Sequence, residues 1–148
     1  MVIEDEIGPR ESLRLLLNSR GYSNLHFAPD GLDALAQLQT LGSSIYLILT
    51  DLRMPRMDGM TFVKRLADEH AHSVGVVGIT GFPTPEADRS FRDLGKNEVL
   101  ALDFLGKPYD SRALVERVAQ WLDCIHEHRR VQDAGRMPST ETPAGAPA

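Results

Sequence analysis

Ile45-Tyr46-Leu47-Ile48-Leu49-Thr50-Asp51 is an apolar run that stops at a carboxylate. Its apolar side chains do not alternate with polar ones, so as a strand it must be covered on both faces. Val74-Gly75-Val76-Val77 repeats the pattern further along the chain. Working outward from these two runs, the β-branched and leucine-rich segments predict strands at 2–4, 24–28, 45–50, 74–79 and 101–106. Stretches of helical period separate them. Leu13, Leu16 and Leu17 form one stripe, Leu32, Leu35 and Ala36 a second, Val63, Leu66 and Ala67 a third. Leu114, Val118, Trp121 and Ile125 recur at i, i+4, i+7 and i+11, with Leu122 beside them. Asp110 or Ser111 can cap that last helix, while Pro9, Asp58 and Pro85 sit near the openings of others. Gly21, Gly42 and Gly95 fall where helices should stop. Strands alternating with helices make an α/β fold, a doubly wound five-stranded parallel sheet with helices on both faces. In such sheets a site forms at the carboxyl ends of the strands, beside the point where strand order reverses.

Composition narrows the function. The 148 residues suit one domain, and 16 basic against 21 acidic side chains give a net charge of −5. That balance offers no reason to expect direct binding to nucleic acid. The single Cys124 can make neither an internal disulfide nor a cysteine-rich zinc site. The longest apolar run, from Ile45 to Leu49, is far short of the ~20 residues that span a bilayer. Met1-Val2-Ile3-Glu4-Asp5-Glu6 lacks the basic-then-apolar order of a signal peptide. The expectation is a cytoplasmic protein with no membrane contact. Residues 136–148 are mostly Pro, Ala, Ser, Thr and Gly, so the expected organisation is one domain over 1–130 and a disordered tail or linker stub over 131–148.

The strand ends carry the chemistry. The first strand ends in Glu4-Asp5, the third in Asp51, the fourth in Thr80-Gly81, and the fifth leads to Lys107-Pro108. The fold gathers them at one edge, where three carboxylates repel unless a cation neutralises them. Carboxylate oxygens favour a hard ion, and Mg²⁺ is commonly held by one or two carboxylates plus water and a phosphate. Lys107 supplies a point charge and Thr80 a hydroxyl for a phosphoryl oxygen. The set points to phosphoryl transfer onto Asp51 as nucleophile.

These residues resemble the receiver domain of two-component response regulators. The resemblance is carried by Glu4-Asp5, the run Thr50-Asp51-Leu52-Arg53-Met54-Pro55-Arg56-Met57-Asp58-Gly59, Ile79-Thr80-Gly81, and Phe104-Leu105-Gly106-Lys107-Pro108. It implies the flavodoxin-like strand order 2-1-3-4-5 and makes Asp51 the acceptor of a phosphoryl group from a sensor histidine kinase or phosphotransferase. Glu4, Asp5, Asp51 and the Arg53 backbone carbonyl become the Mg²⁺ ligands, Asp5 the more direct of the acidic pair. Thr80 and the Gly81 N–H meet the phosphoryl oxygens, and Lys107 pairs with the phosphate. Thr80 and the aromatic Phe104 take the switch positions, and a cis bond is expected before Pro108. Output passes to an unknown downstream protein through the face of the fourth helix, fifth strand and fifth helix. No output domain is evident in the sequence. By the same resemblance, Arg53 and Phe82 control how water reaches the aspartyl phosphate, and their bulk predicts partial shielding.

Other readings compete. A haloacid-dehalogenase-like phosphohydrolase needs an acid two residues after its nucleophile, and Arg53 cannot serve at neutral pH. A flavin or nucleotide carrier needs a glycine-rich phosphate loop after the first strand, and none follows. A receiver-like module that binds partners without phosphorylation is the remaining alternative. His126 and His128, about 200° apart on a helix, cannot chelate one metal, and His70-Ala71-His72 at a helix end is a weak metal candidate. Asp58-Gly59 reads as a turn into a helix, outside the site.

Two departures from the family pattern stand out. Only three residues precede Glu4, so either the first strand is stunted or the true start lies upstream. Thr80 and Lys107 are 27 positions apart, longer than the resemblance leads one to expect, with the excess placed around Gly95-Lys96-Asn97-Glu98-Val99-Leu100. That insertion is expected to reshape the fourth-helix–fifth-strand–fifth-helix face, so dimerisation of the family type is left open.

Overall fold

In the computed structural model, which describes residues 1–136, the two continuous apolar runs lie side by side inside one parallel sheet. The elements follow in the order β1 (Val2–Ile3), α1 (Ile7–Ser19), β2 (Phe27–Ala28), α2 (Gly31–Leu41), a 3-10 turn (Gly42–Ser44), β3 (Leu47–Asp51), α3 (Gly59–Glu69), β4 (Val74–Thr80), α4 (Pro85–Asp93), β5 (Val99–Gly106) and α5 (Ser111–Arg136). Strand order is β2-β1-β3-β4-β5, as the resemblance implied.

Successive residues of a strand point to opposite faces, and that splits the core in two. Ile3, Ile48 and Val76 pack with Ala34 and Leu38 of α2, Phe62, Val63 and Leu66 of α3, and Phe91 of α4. Val2, Leu47, Leu49, Val77 and Ile79 pack with Leu13 and Leu17 of α1 and with Leu114, Val118 and Trp121 of α5. Asp30 caps α2 and Asp58 caps α3 through N–H groups three residues on. Asp110, not Ser111, caps α5, accepting from the N–H groups of Arg112 and Ala113. Thr84 caps α4 ahead of Pro85.

Several expectations need correcting. β2 is Phe27–Ala28 rather than 24–28, because β1 offers only Val2 and Ile3 as partners. Strand β1 stops at Ile3, one residue before Glu4, and β3 starts at Leu47 rather than Ile45. In α2 the buried face is Gly31, Ala34, Leu35 and Leu38, while Leu32 and Ala36 are exposed. The extra length before Lys107 goes partly into the sheet: β5 begins at Val99, and the register slips where Val76 pairs with Ala101 but Val77 with Asp103. The bulged Leu102 lies over Gly75, where a Cβ would collide with it.

The last helix runs through Arg136, six residues past the expected boundary at 130. Arg129 holds it there. Its guanidinium donates to the carbonyls of Ser43, Ile45 and Ser73 at 2.7–2.8 Å and stacks over the Tyr46 ring at 3.8 Å. Arg136 adds an ion pair to Glu98 at 3.3 Å. The remainder of the expected tail, 137–148, lies outside the described residues. Among the described residues no helix is long and apolar enough to cross a membrane.

Candidate functional site

β1, β3, β4 and β5 deliver their ends to the same edge of the sheet. Lys107 Nζ, which follows β5, donates to Asp51 Oδ2 at 2.6 Å and stands 3.6 Å from Glu4 Oε2. Glu4, Asp5 and Asp51 offer carboxylate oxygens within 4.8 Å of one another. Glu4 and Asp51 are buried, whereas Asp5 is exposed and forms the open side of the cluster.

The electrostatics follow from that crowding. Burial pushes the Glu4 carboxyl above its ordinary range, and the charges of Asp51 and Asp5 push the same way. The Glu6 N–H and Lys107 pull against them without prevailing. Lys107 is drawn down by burial, but its hydrogen bond to Asp51 and the charges of Asp51 and Glu4 outweigh that and hold the ammonium form. Tyr109 also belongs to this neighbourhood: burial and the Glu4 charge raise its phenol. Three clustered acids exceed the one ammonium by two negative charges when ionised, and a divalent hard cation fits that donor set.

The walls come from the two flanking loops. The Arg53 N–H donates to Asp51 Oδ1 at 3.0 Å, so one oxygen of the carboxylate is aimed by the loop and the other by Lys107. Thr80 is buried, and its Oγ1 accepts the Phe82 N–H at 3.1 Å. Gly81 faces open space. The Arg53 guanidinium lies over the Phe82 ring at 4.1 Å, so the two bulky side chains join the loops that follow β3 and β4. Phe104 is half-buried against Phe91, ring centroids 5.7 Å apart. The Lys107–Pro108 bond is cis.

Gly59, read from the sequence as a turn outside the site, has a direct part in it. A Cβ there would stand 2.6 Å from the Asp51 carbonyl oxygen and 2.9 Å from Leu52 Cα, so only glycine lets α3 start against the strand that ends at Asp51. Sequence signals could have flagged Gly59 through its place in the motif, but not Tyr109. His70 and His72 stand ring to ring with centroids 5.8 Å apart, and His70 Nε2 is buried with no hydrogen-bond partner among the described residues. Among the described residues Glu4, Asp5 and Asp51 form the group of three with metal-ligand spacing. His126 instead meets Tyr46 edge-on, and His128 bonds Gln132.

The family model described as the response regulator receiver domain matches residues 1–119. The chain belongs to that family. The chemotaxis protein CheY of Treponema pallidum is 27% identical to this receiver over 122 residues, covering 82% of the chain and 81% of the relative. The sensor kinase CckA of Brucella abortus is 28% identical over 123 residues, 83% of this chain but 12% of that much longer protein. The signal receiver domain of an HD domain-containing protein from Pseudomonas fluorescens Pf-5 superposes with a TM-score of 0.71 at 27% identity, covering 85% of this chain and 94% of that one. The function class is therefore that of a receiver in two-component signalling. Receivers of this family bind Mg²⁺ at an acidic pocket and interact with histidine kinases and phosphotransferases.

Proposed function

We propose that this receiver takes a phosphoryl group onto Asp51 from the phosphohistidine of a sensor kinase or phosphotransferase. An Asp51 carboxylate oxygen attacks phosphorus, the P–N bond to the donor imidazole breaks, and the imidazole leaves with the electron pair. Lys107, already on Asp51 Oδ2 at 2.6 Å, follows the new negative charge onto the phosphoryl oxygens. Thr80 Oγ1 and the Gly81 N–H are the donors at the fourth strand end. Glu4, Asp5, Asp51 and the Arg53 carbonyl would hold Mg²⁺, which when bound neutralises charge between donor phosphate and carboxylates. Slow return of the phosphoryl group to water resets the switch, and this self-hydrolysis is the extent of the chain's own catalysis. On this reading it works in the cytoplasm beside its phosphodonor.

The observation that carries the proposal is the convergence of Lys107, Glu4 and Asp51 from three strand ends into one largely buried contact set. Thr80 and Phe104 then relay the change toward α4, β5 and α5. On that face Asp103 pairs with Arg117 at 2.5 Å, and Arg92 pairs with Asp88 at 2.6 Å, so these four charges are already engaged within one chain. We therefore expect output through a heterologous partner in place of a family-type dimer. On this reading residues 1–130 form the receiver, and the last turns of α5, to Arg136, extend it.

The test is an intact-mass measurement after incubation with Mg²⁺ and a small acyl-phosphate donor, beside an Asp51→Asn variant. One added phosphoryl group on the parent alone supports the proposal. No adduct, even with kinase supplied, makes this a binding module whose chemistry is silent.

A further inference from the structure

The loop between β3 and α3 carries the Arg53 carbonyl and aims Asp51, yet its internal hydrogen bonds are few. Met57 N–H reaches Pro55 O at 2.7 Å and Gly59 N–H reaches Leu52 O at 3.1 Å. Its outer turn is held from another part of the chain. Arg56 has φ 63, in the left-handed region that a residue with a Cβ enters only at a cost. Its guanidinium Nε and Nη2 lie 2.6 and 2.5 Å from Asp30 Oδ2. The next residue, Met57, packs on Gly31, where a Cβ would come 3.0 Å from both Met57 Cγ and Sδ.

Asp30 is 3% exposed, and its two oxygens have separate duties. Oδ1 accepts the Asp33 N–H at 2.9 Å and starts α2, while Oδ2 takes Arg56. Burial alone would raise this carboxyl, but the Asp33 N–H and Arg56 hold it below its ordinary range. A buried carboxylate with one oxygen free would be poorly matched to its surroundings, so Asp30 draws the guanidinium in.

We infer that Arg56 is a positioning residue for the Asp51 site: its ion pair with Asp30 pins the phosphoacceptor loop to the first turn of α2, and so fixes the Arg53 carbonyl and N–H. The inference rests on the Mg²⁺-dependent reading of that site. The Arg56 side chain is 59% exposed, so solvent screens the pair and its effect on global stability is small. Its effect is on loop geometry.

The experiment compares Arg56→Ala, Arg56→Gly, Arg56→Lys and Asp30→Asn with the parent, by Mg²⁺ calorimetry, acyl-phosphate labelling and hydrogen exchange over 52–58. Asn at position 30 keeps the helix cap while removing the charge. Arg56→Ala and Asp30→Asn are expected to weaken Mg²⁺ binding about 10-fold, the scale seen when an outer-shell partner is lost. Labelling slows at low Mg²⁺ and recovers at saturation, and exchange over the loop accelerates while α5 is unchanged. Arg56→Gly behaves like the alanine variant although its backbone strain is gone, and Arg56→Lys regains part of the affinity. Variants that all bind Mg²⁺ within twofold of a parent that labels normally would overturn the inference and leave the site reading standing. A parent that neither binds Mg²⁺ nor labels would remove the site reading and this inference together.

Discussion

In a polypeptide that starts at Met1, the α-amino group lies within the sheet, donating to Leu47 O at 2.8 Å, and burial lowers its pKa from 8.0 to about 5. Between those values the unfolded chain carries a proton that the folded chain has shed, so stability must fall as pH falls. A tenfold difference in proton affinity is worth about 1.4 kcal/mol, which gives a penalty of about 1.4 kcal/mol at pH 7, about 3 kcal/mol at pH 5.5 and a limit of about 4 kcal/mol. Above pH 8 the penalty vanishes. A variant with Gly-Ser added ahead of Met1 turns the amine into an amide that does not titrate. A cavity of about 290 Å³ beside Met1, lined by Leu17, Tyr22, Leu25 and Leu122, gives the added residues room. Urea unfolding of both proteins at pH 8.5, 7.0 and 5.5 isolates the effect, because His70 and the carboxylates contribute equally to both. The two curves are expected to diverge by about 3 kcal/mol across that range. Parallel curves would refute the reasoning and show that water reaches the amine in the folded protein.

Three further outcomes are expected. Millimolar Mg²⁺ should raise Tm relative to chelator by mass action, and Glu4→Gln should raise Tm in chelator while shrinking the Mg²⁺ increment; a Glu4→Gln response equal to the parent's would take Glu4 out of the metal site. Gly59→Ala should cost about 2–3 kcal/mol in urea and slow acyl-phosphate labelling, since its Cβ meets backbone atoms that cannot rotate away. Arg129→Ala should cost about 2–4 kcal/mol by loss of a charged donor to three carbonyls, with labelling of Asp51 unchanged because the contact lies at the opposite edge of the sheet.

The acidic cluster and its partners were legible because Glu4, Asp51, Thr80 and Lys107 sit at or just past strand ends, and strand ends survive errors in strand length. Asp51, Thr80 and Lys107 stand where the run of apolar residues stops, so the fold places them whatever the exact boundaries. Extents were harder. Asn24 and Leu25 have acceptable strand character, but a parallel strand needs a neighbour, and β1 supplies one only for Phe27 and Ala28. In α2, Leu32-Leu35-Ala36 and Ala34-Leu35-Leu38 are both regular helical stripes. The choice between them is made by Gly31 fitting under Met57 and Phe62, a contact between distant segments. Past Ile125 the apolar stripe of α5 fades, and hydropathy ends the helix too early. Arg129 continues it through polar contacts that no periodicity reports. The same holds for Asp30 and Arg56, whose pairing spans 26 positions of sequence.

The stacked Arg53 and Phe82 have a kinetic consequence. On the proposed function, water that releases the phosphate and a donor that delivers it would approach Asp51 from the same side, so a cover that slows erasure would also slow writing. If Asp51 carries the phosphoryl group as proposed, the pair is expected to set how long the protein remembers a signal without setting how much of it is recorded at steady state. Arg53→Ala should quicken both acyl-phosphate loading and phosphoryl loss, leaving the plateau of labelled protein nearly unchanged. A lifetime that stays the same while loading accelerates would mean that the two reactions enter by different doors.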